Sequence, residues 1–115
     1  MLKIKRVYES PKREGGARFL VERLWPRGIR KEELRMKAWL KDVSPSPDLR
    51  KWYSHDVTKW EEFQERYRKE LKRNADAWQP ILDAAKIGNV TLLYSARDLE
   101  HNSALVLKEF LEEKL

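Results

Sequence analysis

The chain contains no cysteine. That absence removes disulfides, thiolate zinc sites and thiol nucleophiles together, and it fits a reducing cytoplasm. No apolar stretch approaches the roughly 20 residues that a membrane helix needs. The first residues alternate apolar and basic side chains, so neither a secretory leader nor a membrane association is expected. Basic residues never run uninterrupted for the roughly five or six positions that mark a polyanion-binding tail. No internal repeat, second domain or low-complexity tail shows. Histidine is scarce, with only His55 and His101, which is short of the multi-histidine set of a metal-dependent phosphohydrolase. No metal or other cofactor is expected.

What is present describes one domain spanning residues 1–115, with 41% hydrophobic residues to build a core. Lys and Arg number 25 against 19 Asp and Glu, a net charge of +6. A basic domain attracts polyanions. Here Glu is interleaved along most basic segments, so a solvated surface of mixed sign is favoured over a nucleic-acid face.

The stretch Val90–Ala104 organises the rest. Val90 to Tyr94 is apolar or β-branched throughout, the pattern of a mid-sheet strand buried on both faces with helices on either side. The chain then turns polar through Ser95, Arg97, Asp98, Glu100, His101 and Asn102, and an amphipathic helix follows over 103–113. Strand, polar elbow and helix start form the layout with which α/β sheets hold ligands at their carboxyl edge. Upstream, the pattern predicts a strand over 3–8, a surface loop over 9–16 with Pro11, Gly15 and Gly16, and a strand over 18–25. An antiparallel pairing of these two is compatible with the loop. Alternation puts Phe19, Val21, Arg23 and Trp25 on one face of the second strand and Leu20, Glu22 and Leu24 on the other.

Trp25-Pro26-Arg27-Gly28 reads as a turn. Residues 30–42 read as a weak helix, a short strand or an irregular segment. Ser46-Pro47-Asp48 starts a helix over 47–54, with Ser as N-cap and Pro in the first position. Thr58 and Glu61 predict a capping box for a helix over 59–73, whose buried stripe is Trp60, Phe63, Tyr67 and Leu71. Asp76 is expected to cap a helix ending at Ile87, with Pro80 in its first turn and Gly88 closing it in the left-handed conformation.

The elbow is the first candidate site, because a helix start offers free N–H groups to an anion and Arg97 and His101 add donors. Asp98 or Asn102 acting as a plain cap is the alternative. Ser95, Asp98 and His101 lie too close in sequence for a catalytic triad, which is assembled from separate segments. His55-Asp56 resembles a metal-phosphohydrolase doublet, against an ordinary cap by Asp56. If Arg23 faces the core, it needs a bound anion or an internal acid such as Asp56 or Asp98. Trp25 and Trp52, beside arginines, offer stacking surfaces or ordinary core.

Several stretches resemble the YeaO-like group of domain of unknown function 488: RVYES at 6–10, LVERLWPRG at 20–28, WLKDVSPSPDLRKWYSHD at 39–56, WEEFQERYRKEL at 60–71 and VTLLYSARDLEHNSALVL at 90–107. They span nearly the whole chain. The resemblance implies a compact α/β domain without an established activity. Its signature positions fall on Arg23, Trp25, Pro26, Arg27 and Gly28, on Pro45, Ser46, Leu49, Trp52, His55 and Asp56, and on Tyr94, Ser95, His101 and Asn102. Members are sometimes labelled transcription regulators of the MarR type. No helix-turn-helix followed by a wing reads from this chain.

The expectation is therefore an α/β fold with a small mixed, largely parallel sheet and helices packed around it. A polar pocket at the strand ends would take a small anionic, phosphate- or nucleotide-like partner. Its ligand-binding residues would be Arg23, Trp25, Arg27, Trp52, Ser95, Arg97 and Asn102, with His55, His101 and Asp56 as the groups for any acid–base chemistry. A nucleic-acid surface and a non-catalytic interaction module are the alternatives.

Overall fold

The computed structural model describes residues 1–9 and 16–115, so the expected loop with Pro11 and Gly15 lies outside the described residues. Four strands form one sheet in the order β1 (Leu2–Arg6), β4 (Val90–Tyr94), β2 (Ala17–Leu20), β3 (Ala38–Trp39). Every pairing among them is parallel. The first two strands do not pair with each other. Both flank β4, which is buried along its whole length as its unbroken apolar run requires.

Alternation along β4 divides the interior into two sides. Val90, Leu92 and Tyr94 join Leu2, Phe19 and Val21 in the main core. That core takes side chains from α1 (Pro47–Tyr53), α2 (Trp60–Lys72), α3 (Ala75–Ile87) and α4 (Ser103–Glu112). Leu93 points the other way, into a smaller cluster with Val7, Leu20 and Leu34, sealed by Trp25, Ile29 and Trp39. Helices therefore cover one face of the sheet. The irregular segment leading into β3 covers the other, and this settles the open reading of residues 30–42. Trp25 and Trp39 meet edge to face there, 5.3 Å between centroids.

The second strand is shorter than its alternation predicts. It ends at Leu20, and beyond Val21 the chain leaves the sheet. Trp25 consequently sits in the smaller cluster with Leu20 rather than beside Phe19 and Val21. Gly16 shows why a glycine opens this strand. Its φ is +60°, and a Cβ there would lie 2.1 Å from the Asn89 carbonyl oxygen, the same oxygen that accepts from Ala17 N–H at 3.0 Å.

Helix ends follow the expected chemistry at some positions and depart from it at others. Ser46 caps α1 by accepting from Leu49 N–H at 3.2 Å. The Thr58–Glu61 box does not form. Asp56 instead accepts from both Thr58 N–H and Thr58 Oγ1, capping a single turn, Val57–Lys59, that leads into α2. The short side chain of Asp56 reaches forward two residues and takes the Thr58 N–H, the donor to which Glu61 would have reached back. Asp76 caps nothing, because α3 begins at Ala75 and puts it inside the first turn, with Pro80 one turn further in than expected. Gly88 is extended, with φ 178°, rather than left-handed. Its N–H still closes the helix onto Ala84 O at 3.1 Å.

Candidate functional site

The carboxyl ends of β4 and β2 open onto a cavity of about 520 Å³. From the elbow it is lined by Ser95 and Ala96, and from the start of α4 by His101, Asn102 and Ser103. From α1 and its exit come Pro47, Arg50, Lys51, Tyr53, Ser54 and His55; Glu22, Pro45 and Phe63 complete the wall. A second lobe of about 450 Å³ shares Tyr53, His55, Ser95, Ala96 and His101 and adds Arg97 and Asp98.

The elbow is held from three directions. Arg6, at the end of β1, donates Nε to Ala96 O at 3.0 Å and Nη2 to Ser95 O at 3.3 Å. Glu22 Oε1 accepts from Ser95 N–H at 2.7 Å and from Ser95 Oγ at 3.1 Å. Asp98 Oδ1 accepts from the N–H groups of Glu100 and His101, both at 2.9 Å, which closes the loop tightly before α4. These hydrogen bonds, led by the one from Glu100, hold the Asp98 carboxyl below the usual carboxylate range against a smaller opposing effect of desolvation. Asn102 caps α4 by accepting from Leu105 N–H at 2.9 Å, and its Nδ2 donates to Asp98 O at 3.0 Å.

His101 is oriented on two sides. Its Nδ1 lies 3.0 Å from Asp98 Oδ2, and its ring meets Trp60 edge to face at 5.2 Å. A carboxylate on Nδ1 favours the proton at that nitrogen and leaves Nε2 as the free ring nitrogen. The Ser95 hydroxyl engages Glu22, not His101, so the three elbow residues form a pair and a separate bond rather than a relay. Trp60, Phe63 and Tyr53 form an aromatic wall, with Tyr53 and Phe63 centroids 4.5 Å apart. Burial, with the charges of Asp98 and Asp56, raises the Tyr53 phenol above its ordinary value, so it stays a neutral donor.

His55 reaches the cavity through unusual backbone. Ser54 and His55 are consecutive residues with positive φ, 44° and 58°. Left-handed backbone costs a non-glycine residue about 1–2 kcal/mol, and such strain concentrates at ligand-contacting segments.

Five of the expected site residues thus converge on the cavity: His55, Ser95, Arg97, His101 and Asn102. The other five lie elsewhere. Among the described residues Arg23 pairs with no acid, and it does not line the opening. Its Nη2 donates to Ser44 O and Pro45 O, both at 3.3 Å, while its buried Nε has no partner. It braces the segment that carries Pro45 into the wall. Trp25 donates its indole N–H to Ile29 O at 2.6 Å on the other face of the sheet. Arg27 is exposed, and its carbonyl accepts from Tyr8. Trp52 packs under Arg66 and Lys59, 4.3 and 5.1 Å from its centroid, and Asp56 is a cap.

Sequence reading missed Glu22, Arg50, Lys51, Tyr53 and Ser103. Only Glu22 carried a usable signal, as an acid directly after the apolar run 19–21 at the carboxyl end of β2. Among the described residues no group of three or more His, Asp and Glu side chains is arranged to hold a metal ion.

Comparison with known proteins gives a match over residues 1–115 to DUF488-N3i, described as the "Inactive DUF488-N3 subclade". Over 110 residues the chain is 41% identical to "Uncharacterized protein YeaO" of Escherichia coli, covering 96% of each. It is 38% identical to "Uncharacterized protein Mb3100c" of Mycobacterium bovis and to "Uncharacterized protein Rv3073c" of Mycobacterium tuberculosis, over 96% of this chain and 92% of theirs. No solved structure matches.

Proposed function

The chain belongs to the DUF488 family, and on that premise we propose that the strand-end cavity binds a small anionic ligand, phosphate- or nucleotide-like, without converting it. The observation that carries the reading is the meeting of His55 and His101, from distant segments, with Ser95 on one cavity. Arg50 and Lys51 add fixed positive charge at its wall. Asn102 caps the first turn of α4 through Leu105 N–H, and it and Ser103 bring the start of that helix, the end that favours negative charge, to the cavity wall. The subclade's description as inactive favours binding over turnover. His55 then acts as a donor to the ligand, and His101, whose Nδ1 is taken by Asp98, donates through Nε2 in its doubly protonated form. Asp56, held by Thr58, takes no part. The cysteine-free composition supports a cytoplasmic setting.

Isothermal titration with inorganic phosphate and with nucleoside 5′-monophosphates tests this. Wild type is expected to bind, and His101→Ala to bind about tenfold more weakly, the size of one hydrogen bond to a charged group. Equal affinity for both proteins would remove His101 from the site. Silence from every anion, in heat and in thermal shift, would remove the site. Nucleic-acid binding through the basic surface predicts instead a steep salt dependence on RNA, governed by exposed Lys and Arg.

A further inference from the structure

The cavity that would take an anion also contains a carboxylate. Glu22 lines it. Both hydrogen bonds from Ser95 fall on Oε1, and Oε2 accepts none among the described residues. A bare oxyanion filling this space would face that charge. The neighbouring acid does not offer the same feature: the two oxygens of Asp98 are committed to Glu100 N–H, His101 N–H and the imidazole.

We infer that the ligand is two-ended, with an anionic group held by the histidines and basic side chains and an N–H or O–H donor that meets Glu22 Oε2. This rests on the anion-binding reading above and narrows it to a class: phosphorylated compounds of nucleoside type, as against inorganic phosphate. Two further features agree. About 520 Å³ lies within the roughly 300–1,000 Å³ of small-molecule sites, which is far more room than a lone tetrahedral anion fills. Tyr53 and Phe63 give the same cavity an aromatic wall for a planar ring.

Fixing Oε1 with two donors is also what makes the other oxygen a specific reader. The carboxylate cannot rotate away, so the ligand meets an acceptor at a set position. Glu22→Gln isolates this role. Its amide oxygen can still accept from Ser95, which turns the NH₂ toward the cavity and replaces an acceptor with a donor. The charge disappears at the same time.

Calorimetry on the full chain, wild type and Glu22→Gln, with inorganic phosphate and adenosine, guanosine, cytidine and uridine 5′-monophosphates as probes, tests the inference. Wild type is expected to favour at least one nucleotide over phosphate by about tenfold or more. Glu22→Gln is expected to lose that preference while holding phosphate as well as wild type or better. Equal weakening of all probes by the substitution would make Glu22 a structural anchor of Ser95 and overturn the inference. So would an unchanged nucleotide preference. Wild type binding phosphate and nucleotides alike would overturn it too while leaving the anion site standing. No binding of any probe would end both readings. If Glu22→Gln does not fold, the wild-type ratio of nucleotide to phosphate affinity decides, and a ratio near one overturns the inference.

Discussion

At the scale of single residues, the strained pair Ser54 and His55 is the feature that separates stability from function. Neither residue is a glycine, yet both hold left-handed backbone at the exit of α1. Glycine adopts that conformation without steric cost. His55→Gly is therefore expected to stabilise the fold by about 1 kcal/mol while weakening ligand binding through loss of the imidazole. Urea denaturation and titration on the same preparation check both halves. A drop in stability would mean that the ring holds the chain in place rather than serving the cavity. Arg23 shows the opposite case. Alternation alone puts its charge among core residues and demands a partner for it. The strand ends too early for that pattern to continue, and two backbone carbonyls accept from Nη2 while Nε stays without a partner, an outcome that no spacing of charged residues could announce.

At the scale of elements, the junction of α1 and α2 rests on one serine. Ser46 Oγ caps α1 and donates to Glu70 Oε2 at 2.6 Å, while Ser46 N–H donates to Glu70 Oε1 at 2.9 Å. This couples the start of one helix to the last turn of the next. Ser46→Ala removes the cap and one of the two bonds to Glu70, and is expected to cost about 1–2 kcal/mol. The midpoint of urea unfolding reads this directly, and a change under about 0.5 kcal/mol, within the range of ordinary surface substitutions, would show that Glu70 and the backbone compensate. α2 itself was legible from its stripe, since Phe63, Tyr67 and Leu71 are all buried. Its start was not. A box and a nearer aspartate compete for the same Thr58 N–H, and the sequence contains both.

For the molecule as a whole, acid should undo the fold through carboxylates that are hydrogen-bonded only when it is folded. Asp98 and Asp56 both lie below the ordinary value of 3.8, Asp98 chiefly through the Glu100 N–H and Asp56 chiefly through the Thr58 hydroxyl. A carboxyl depressed in the folded state contributes stability that is complete above its unfolded value and fades as pH falls through the folded one. Wild-type stability is therefore expected to decline below about pH 4, starting at the unfolded carboxylate value. The Asp56→Asn, Asp98→Asn double variant should decline less steeply over the same range. Urea midpoints measured across that range check this, and parallel slopes would exclude both residues as the origin.

The sequence by itself determined the class of fold, the central strand and its buried length, the elbow and the helix after it, because apolar runs, capping residues and helical spacing act between neighbours in the chain. It also marked His55, Ser95, Arg97, His101 and Asn102, which lie where elements end. Only the tertiary structure decided that β1 and β2 flank β4, that the segment leading into β3 covers one face of the sheet, and that Glu22 rather than Arg23 lines the cavity. Those outcomes depend on where a strand leaves the sheet and which distant carbonyls and carboxylates it then meets. Competition between contacts far apart in the chain settles that, and no local pattern records it.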